Sequence, residues 1–273
     1  MATVFQVLIY TTLIAYAAGA VLYLAGSSSA TRKGLLAASC LVVIGFISNL
    51  MALILRTIMV SRLPLSSSYE FILIFTCITV SFYLIYEFKT GEKGAGGVVL
   101  LIAAMLILSV VLMAQGQFGE VTPLMPALKS PWLTVHVLTA ATAYACFALT
   151  AGLAARQLIS NNPDITEENV YKIAGAGFTL LSLSIILGAI WAEQAWGSYW
   201  SWDPKEVWAL ITWIIYAVYL HLYRSSQLKS KTASILLLAG FALVLFTFFG
   251  VNYLLPGMHS YAGIMKGAAM KFS

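Results

Sequence analysis

The chain has 273 residues, of which 61% are hydrophobic, and its charged residues (15 Lys and Arg, 10 Asp and Glu) make up only 9%. A soluble globular domain carries about 25% charged residues, so this composition excludes a soluble fold. The net charge of +5 comes without a dense basic cluster, which gives no support for a nucleic-acid partner.

Eight long windows of the sequence contain no charged residue. Because a bilayer core of about 30 Å needs roughly 20 apolar residues per helix, the windows predict eight transmembrane spans. We place them near 4–25, 35–55, 69–88, 97–114, 133–156, 173–193, 206–224 and 233–253. Lipid cannot satisfy backbone N–H and C=O groups, and the short alternating strands of a barrel are absent, so the spans are predicted to be helical. We therefore expect an all-α polytopic membrane protein whose residues 1–273 form one integral membrane domain.

Two features bear on how the chain meets the membrane. The first window lacks a basic n-region and a small-residue cleavage site, which favours a retained span over a signal peptide. With the N-terminus outside, nine of the fifteen Lys and Arg residues lie in inner loops or span ends, a modest bias that favours both termini outside. The segment 194–206 is then an external loop between spans six and seven.

The three cysteines, Cys40, Cys77 and Cys146, all fall within predicted spans and form no C-x-x-C pair. This spacing argues against a thiol-redox or zinc site and favours small packing residues.

Tryptophan is concentrated in one place: six of the seven lie between residues 191 and 213. One interpretation is an interfacial aromatic belt, because Trp and Tyr are enriched at membrane surfaces. A belt is spread around a bundle, whereas these residues are concentrated at one outer loop, beside a glycine that permits close backbone approach. A flat aromatic platform for a planar ligand is therefore an equally good interpretation.

The sequence Asp203-Pro204-Lys205-Glu206 has the pattern of a helix N-terminus. Asp at the N-cap, Pro at the first helical position and Glu three residues after the cap are typical of a capping box. We expect span seven to begin here and Asp203 to have a structural role rather than that of a general base.

The chain contains three histidines, His136, His221 and His259. His136 and His259 are predicted to lie on the side of the tryptophan-rich loop, whereas His221 follows Trp208 by 13 residues, roughly 20 Å along span seven. A histidine in a span indicates a functional site, although a hydrogen-bonded packing role is an equally good interpretation of each one alone. No Cys, Asp or Glu cluster completes a small metal site with them. Haem fits better, because its iron takes two axial histidines and its macrocycle packs against aromatic rings.

Three stretches resemble a known family. Residues 196–213 (WGSYWSWDPKEVWALITW) are similar to the tryptophan-rich "WWD" signature of the haem-handling subunit of cytochrome c synthase, the CcsA/ResC type of the System II pathway. Residues 123–136 (PLMPALKSPWLTVH) and 252–261 (NYLLPGMHSY) resemble two further stretches of that family. The resemblance extends over roughly residues 64–262.

The resemblance implies a cofactor site and a reaction. By this resemblance, His136 and His259 would be the axial ligands of haem b on the outer face, and His221 would be a haem ligand within the membrane. Further contacts to the haem would come from Trp196, Trp200, Trp202, Asp203 and Trp208. The haem would be moved across the membrane and presented to the CxxCH motif of apocytochrome c for thioether attachment, which is a cytochrome c haem lyase activity.

The resemblance also implies partners and a location. A CcsB/ResB-type membrane subunit is expected, because this chain offers one histidine at the depth of a two-histidine transmembrane site. The membrane would be a bacterial cytoplasmic membrane or a thylakoid membrane, with the WWD loop and both termini on the periplasmic or lumenal side.

Two alternatives stay open. One is a haem transporter or a HemX-like haem-binding regulator that performs no ligation. The other is a structural subunit of a respiratory complex, in which the tryptophan-rich loop packs on a partner and no haem is bound.

Overall fold

The structure of the protein is a computed structural model that describes residues 1–29, 32–121, 123–124, 126–160, 167–226 and 230–255. Eight long helices account for most of these residues. They are α1 (Ala2–Ser29), α2 (Arg32–Val60), α3 (Ser68–Thr90), α4 (Gly96–Ala114), α5 (Pro131–Ser160), α6 (Glu167–Trp196), α7 (Pro204–Arg224) and α8 (Ser230–Leu245). Short 3₁₀ helices, Gln115–Gln117 and Pro126–Lys129, lie between α4 and α5.

All eight helices are long and apolar enough to cross a membrane. The predicted all-α class and the eight spans are therefore confirmed. The observed helices extend beyond most of the predicted bounds, because polar residues at the span ends continue the backbone hydrogen bonding past the apolar window.

Helix α5 lies at the centre of the bundle. Within its apolar window 78% of the residues are buried, against 17% for α7. Helix α5 contacts α3, α4, α6 and α8, while α1 packs on α2 and α4. Small side chains let neighbouring helices approach α5 closely, as is usual in membrane bundles. These buried alanines are Ala140, Ala141, Ala143, Ala145, Ala148, Ala151 and Ala154.

Helix α8 continues through a π-helical turn, Phe246–Gly250, into a short helix, Val251–Leu254, and the end of α8 includes both. A π turn places one extra residue in the helix and alters which side chains face inward. Thr247, Phe248 and Asn252 from this region line the cavity described below. The irregular turn thus brings the end of α8 into the site.

Buried carboxylates within the spans have partners, as the cost of charge in a membrane requires. Glu70 of α3 lies 2.9 Å from Nε of Arg56 on α2. Glu87 of α3 accepts a 2.8 Å hydrogen bond from the Tyr23 hydroxyl and lies 3.4 Å from the Lys93 ammonium. The two pairs lie at opposite ends of α3, and each ties α3 to other parts of the bundle.

Candidate functional site

A cavity of about 430 Å³ lies at the end of the bundle where α5 and α7 begin. Its walls come from the start of α3, the 3₁₀ helix Pro126–Lys129, helices α5, α6 and α7, the α6–α7 loop, and the end of α8. The lining is mostly apolar and aromatic with a few polar groups, and its volume is typical of small-molecule and cofactor pockets.

His136 lies in the second turn of α5 and lines this cavity. Its Nδ1 atom is 2.8 Å from the backbone oxygen of Ser184 on α6. A carbonyl oxygen can only accept a hydrogen bond, so Nδ1 carries the proton and Nε2 carries the lone pair. The Ser184 hydroxyl adds a second contact, 3.2 Å from the backbone oxygen of His136. This arrangement fixes the tautomer that is able to bind a metal through Nε2.

Three tryptophans line the cavity beside His136: Trp191, Trp196 and Trp200. The Trp191 ring is within 9° of parallel to the His136 ring, with centroids 6.4 Å apart, and meets the Trp196 ring edge-on at 4.7 Å. Trp191 Nε1 donates a 2.9 Å hydrogen bond to the backbone oxygen of Ala127. The aromatic wall is thereby joined to the 3₁₀ helix Pro126–Lys129, which also lines the cavity.

The loop between α6 and α7, residues 197–203, has an unusual backbone. Gly197 has φ of 74° and Trp202 has φ of 58°, which is the left-handed region that disfavours residues with a side chain. Trp202 is also 71% exposed and meets the ring of Trp200 edge-on. Such strain is retained where the surrounding structure or a function requires it.

The predicted helix cap at Asp203 is confirmed. Its carboxylate accepts a 3.0 Å hydrogen bond from the backbone N–H of Lys205, and Glu206 Oε2 accepts one of 3.2 Å from the backbone N–H of Asp203. Glu206 also accepts a 2.8 Å hydrogen bond from the backbone N–H of Ser201. The capping box therefore fixes the end of the loop on α7.

The structure brings together only part of the predicted site. His136, Trp196 and Trp200 line one cavity. The remaining residues lie elsewhere: Asp203 is buried in the cap, Trp208 packs on Phe246 with centroids 4.3 Å apart, Trp202 is exposed, and His221 is exposed near the end of α7. His221 follows the cavity residue Lys205 by 16 positions, roughly 24 Å along the helix. His259 lies outside the described residues.

Two cavity residues have no counterpart among the residues predicted for the site. Ser184 and Asn252 contribute polar groups to the cavity or to His136. Asn252 falls within a family-like stretch, which is a signal that could have found it. Ser184 lies in the middle of an apolar span, and nothing in its neighbouring sequence marks it.

A family model described as "Cytochrome C assembly protein" matches residues 65–259. The chain belongs to this family. The match covers the cavity from Leu65, at its α3 wall, to beyond Asn252, at its α8 wall. Membership in the cytochrome c assembly family makes this chain a cytochrome c biogenesis protein.

Relatives of this family member are proteins named "Cytochrome c biogenesis protein CcsA". The protein from Trieres chinensis is 32% identical over 249 residues, which cover 76% of this chain and 80% of the relative. The protein from Guillardia theta is 33% identical over 256 residues, which cover 80% of this chain and 85% of the relative. The expected resemblance to the CcsA type is confirmed.

A solved structure named "Cytochrome c Heme Lyase CcmF" shares the fold of this family member. The TM-score is 0.76 at 17% sequence identity, and the superposition covers 99% of this chain and 49% of that protein. The chain thus corresponds to about half of the larger structure, and the likeness concerns the fold alone.

Proposed function

We propose that the cavity holds haem b as a substrate, with His136 Nε2 as one axial ligand, and presents it for covalent attachment to apocytochrome c. The observation that carries the proposal is the Nδ1 contact between His136 and the Ser184 backbone oxygen inside a tryptophan-lined cavity. A ring nitrogen held in this way raises the basicity of the other nitrogen and directs it at a metal. Trp191, Trp196 and Trp200 offer the apolar surface that a macrocycle packs against.

The second axial ligand in this proposal is His259. The end of α8 supplies Asn252 to the cavity wall, and His259 follows Asn252 by seven residues. Bis-histidine ligation satisfies both axial positions of the iron and keeps other ligands away until the substrate protein arrives. The histidine of the CxxCH motif would then replace one of the two.

The attachment step needs no acid or base from this chain. Each cysteine thiol of apocytochrome c adds across a vinyl group: a bond forms from sulfur to one vinyl carbon, and the hydrogen is added to the other. No net oxidation or reduction accompanies this addition. His136 positions the iron, and the tryptophan walls exclude water and fix the ring plane, so the chain acts through positioning.

His221 has a different proposed role, at the other end of α7. Its side chain is exposed on a helix that buries few residues within this chain. A polar imidazole on such a face favours contact with another subunit over contact with lipid. We assign it to a haem site shared with a CcsB/ResB-type subunit, through which haem passes before reaching His136. On this assignment the tryptophan-rich loop lies on the periplasmic or lumenal side of a bacterial cytoplasmic or thylakoid membrane.

An absorption spectrum tests the proposal. The full chain, expressed with and without a CcsB/ResB-type subunit and purified in detergent, should contain haem that forms a b-type pyridine haemochrome. His136→Ala should lose or weaken this spectrum, and added imidazole should restore part of it. A colourless wild-type protein in every preparation would overturn the proposal and favour a structural subunit.

Attachment needs a separate readout. Holocytochrome c formed in cells should depend on His136, and a protein that binds haem through His136 but supports no holocytochrome in the presence of its partner subunit would be a HemX-like transporter or regulator. His221→Ala provides the matched control, because His221 is assigned to the haem site shared with the CcsB/ResB-type subunit and not to the cavity. That variant should lower haem loading in cells while leaving binding of added haem at the cavity unchanged.

A further inference from the structure

Two hydrogen-bond donors lie together where α7 and α8 form the cavity wall. The Lys205 ammonium group donates a 3.0 Å hydrogen bond to Oδ1 of Asn252. Both residues line the cavity. Because an ammonium group can only donate, the amide oxygen of Asn252 faces Lys205 and its NH₂ group is directed elsewhere.

The NH₂ group of Asn252 lacks a hydrogen-bond partner among the described residues, although the residue is fully buried at 0% exposure. A buried donor without a partner is unfavourable and calls for an explanation in each structure where it occurs. An acceptor supplied by a ligand in the cavity would satisfy it.

The Lys205 ammonium group belongs to none of the ion pairs within 4 Å found in this part of the chain. The Asp203 carboxylate attracts it electrostatically without forming such a pair. The nearby carboxylates have other partners, because Asp203 accepts from the Lys205 backbone N–H and Glu206 accepts from the backbone N–H groups of Ser201 and Asp203. Lys205 also lies in the first turn of α7, where the helix dipole favours an anion.

We propose that Lys205 and Asn252 form a carboxylate-binding subsite of the cavity. One cation and one amide donor, side by side in a largely apolar cavity, match the two oxygens of a carboxylate. The inference rests on the proposed haem site and names the part of the substrate held there: a propionate. Since the vinyl groups of haem lie on the pyrrole rings opposite the propionates, the subsite orients the ring with its reactive edge away from α7 and α8.

Binding of two ligands that differ only in the carboxylates tests the subsite. Iron protoporphyrin and its dimethyl ester are titrated into the full chain in detergent, with quenching of tryptophan fluorescence as the readout. The wild type should bind the free acid at least about tenfold more tightly than the ester. Lys205→Met should lose most of this preference, whereas Lys129→Met should keep it, because Lys129 is exposed and lies outside the cavity lining.

A second variant separates the subsite from any loss of folding. Asn252→Asp keeps a partner for Lys205 but places a negative charge where the carboxylate would bind, so it should bind the ester more tightly than the free acid. If the wild type, Lys205→Met and Asn252→Asp each bound the free acid and the ester with the same affinity, the subsite would be overturned while the haem proposal would stand. Failure of the wild type to bind either ligand would overturn both.

Discussion

A methyl group added at Gly188 of α6 would lie 2.8 Å from Cε1 and 2.9 Å from Nδ1 of His136. Real Cβ atoms do not approach other atoms so closely, so glycine at this position leaves the space that the imidazole ring occupies. The ring is held from the same helix by the backbone oxygen of Ser184. Helix α6 thus shapes the position of His136 in two ways, by an omitted side chain and by a hydrogen bond.

Gly188→Ala should therefore displace the His136 ring and break its Nδ1 contact. We expect weaker haem binding and an altered absorption spectrum, with little loss of stability, because Ala is favoured over Gly in a helix by about 1 kcal/mol. Gly175→Ala is the matched control on the same helix, since its added Cβ would meet only Leu220 Cδ2 at 3.9 Å. A Gly188→Ala protein whose haem spectrum and affinity equal those of the wild type would contradict this prediction.

Variants of Asp203 can distinguish a helix-capping role from a role in the chemistry of the site. Asp203→Ala should lower the free energy of unfolding by about 1 kcal/mol, because the N–H groups of the first turn of α7 lose their acceptor. Asp203→Asn should retain both the stability and the yield of holocytochrome c, since asparagine caps helices as well as aspartate. Thermal unfolding in detergent and holocytochrome yield in cells measure the two effects. If the Asn variant folds normally but supports no holocytochrome, the negative charge itself is required.

Local sequence signals predicted local structure well. The predicted fourth span, 97–114, agrees with the observed helix Gly96–Ala114 to within one residue, because the continuous apolar run has about the length that one bilayer crossing needs. The start of α7 was predicted equally well, since the capping box from Asp203 to Glu206 lies within four consecutive residues. His136 and the loop tryptophans were found because histidine is rare in this chain and tryptophan is concentrated.

The residues that position His136 could not be predicted in the same way. Ser184 is 48 positions away in sequence, and its role arises only where α5 and α6 pack together. Gly188 has the same origin, since a small residue in an apolar span is usually a simple packing position. The π turn at the end of α8, which brings Asn252 into the cavity wall, has no distinctive composition. Such features depend on how helices cross and therefore need a three-dimensional structure.

The left-handed backbone at Trp202 predicts an unusual order of stabilities. Replacing a non-glycine residue at φ of 58° by glycine removes backbone strain of about 1 kcal/mol, so Trp202→Gly should be more stable than Trp202→Ala by about this amount. The two variants lose the same exposed indole ring. Their thermal unfolding in detergent should differ, whereas their holocytochrome yields should be equally low if the ring contacts haem or a partner. Equal unfolding temperatures would contradict the strain, and wild-type yields in both would remove Trp202 from the site.

The buried pair of Arg56 and Glu70 predicts a large loss of stability when one partner is removed. Glu70 is 0% exposed, and it also accepts a 3.0 Å hydrogen bond from the backbone N–H of Ser66, a cavity-lining residue. Glu70→Ala would leave the Arg56 guanidinium buried without a carboxylate, at a cost of about 3–5 kcal/mol. Arg62→Ala should cost about 1 kcal/mol or less, because Arg62 is a partly exposed second partner of Glu70 at 3.2 Å.

A double variant shows whether the charge or the contact accounts for this loss. Arg56→Met combined with Glu70→Leu removes both charges and should recover most of the stability lost in Glu70→Ala, since apolar side chains of similar volume avoid the unpaired charge. Haem binding should be weaker than in the wild type in both Glu70→Ala and the double variant, because the backbone N–H of Ser66 loses its acceptor and the α3 wall of the cavity is less well held. Unfolding and haem titration of the wild type, Glu70→Ala and the double variant measure both effects. A double variant less stable than Glu70→Ala would show that the ion pair itself, and not merely the unpaired arginine, stabilises this end of the bundle.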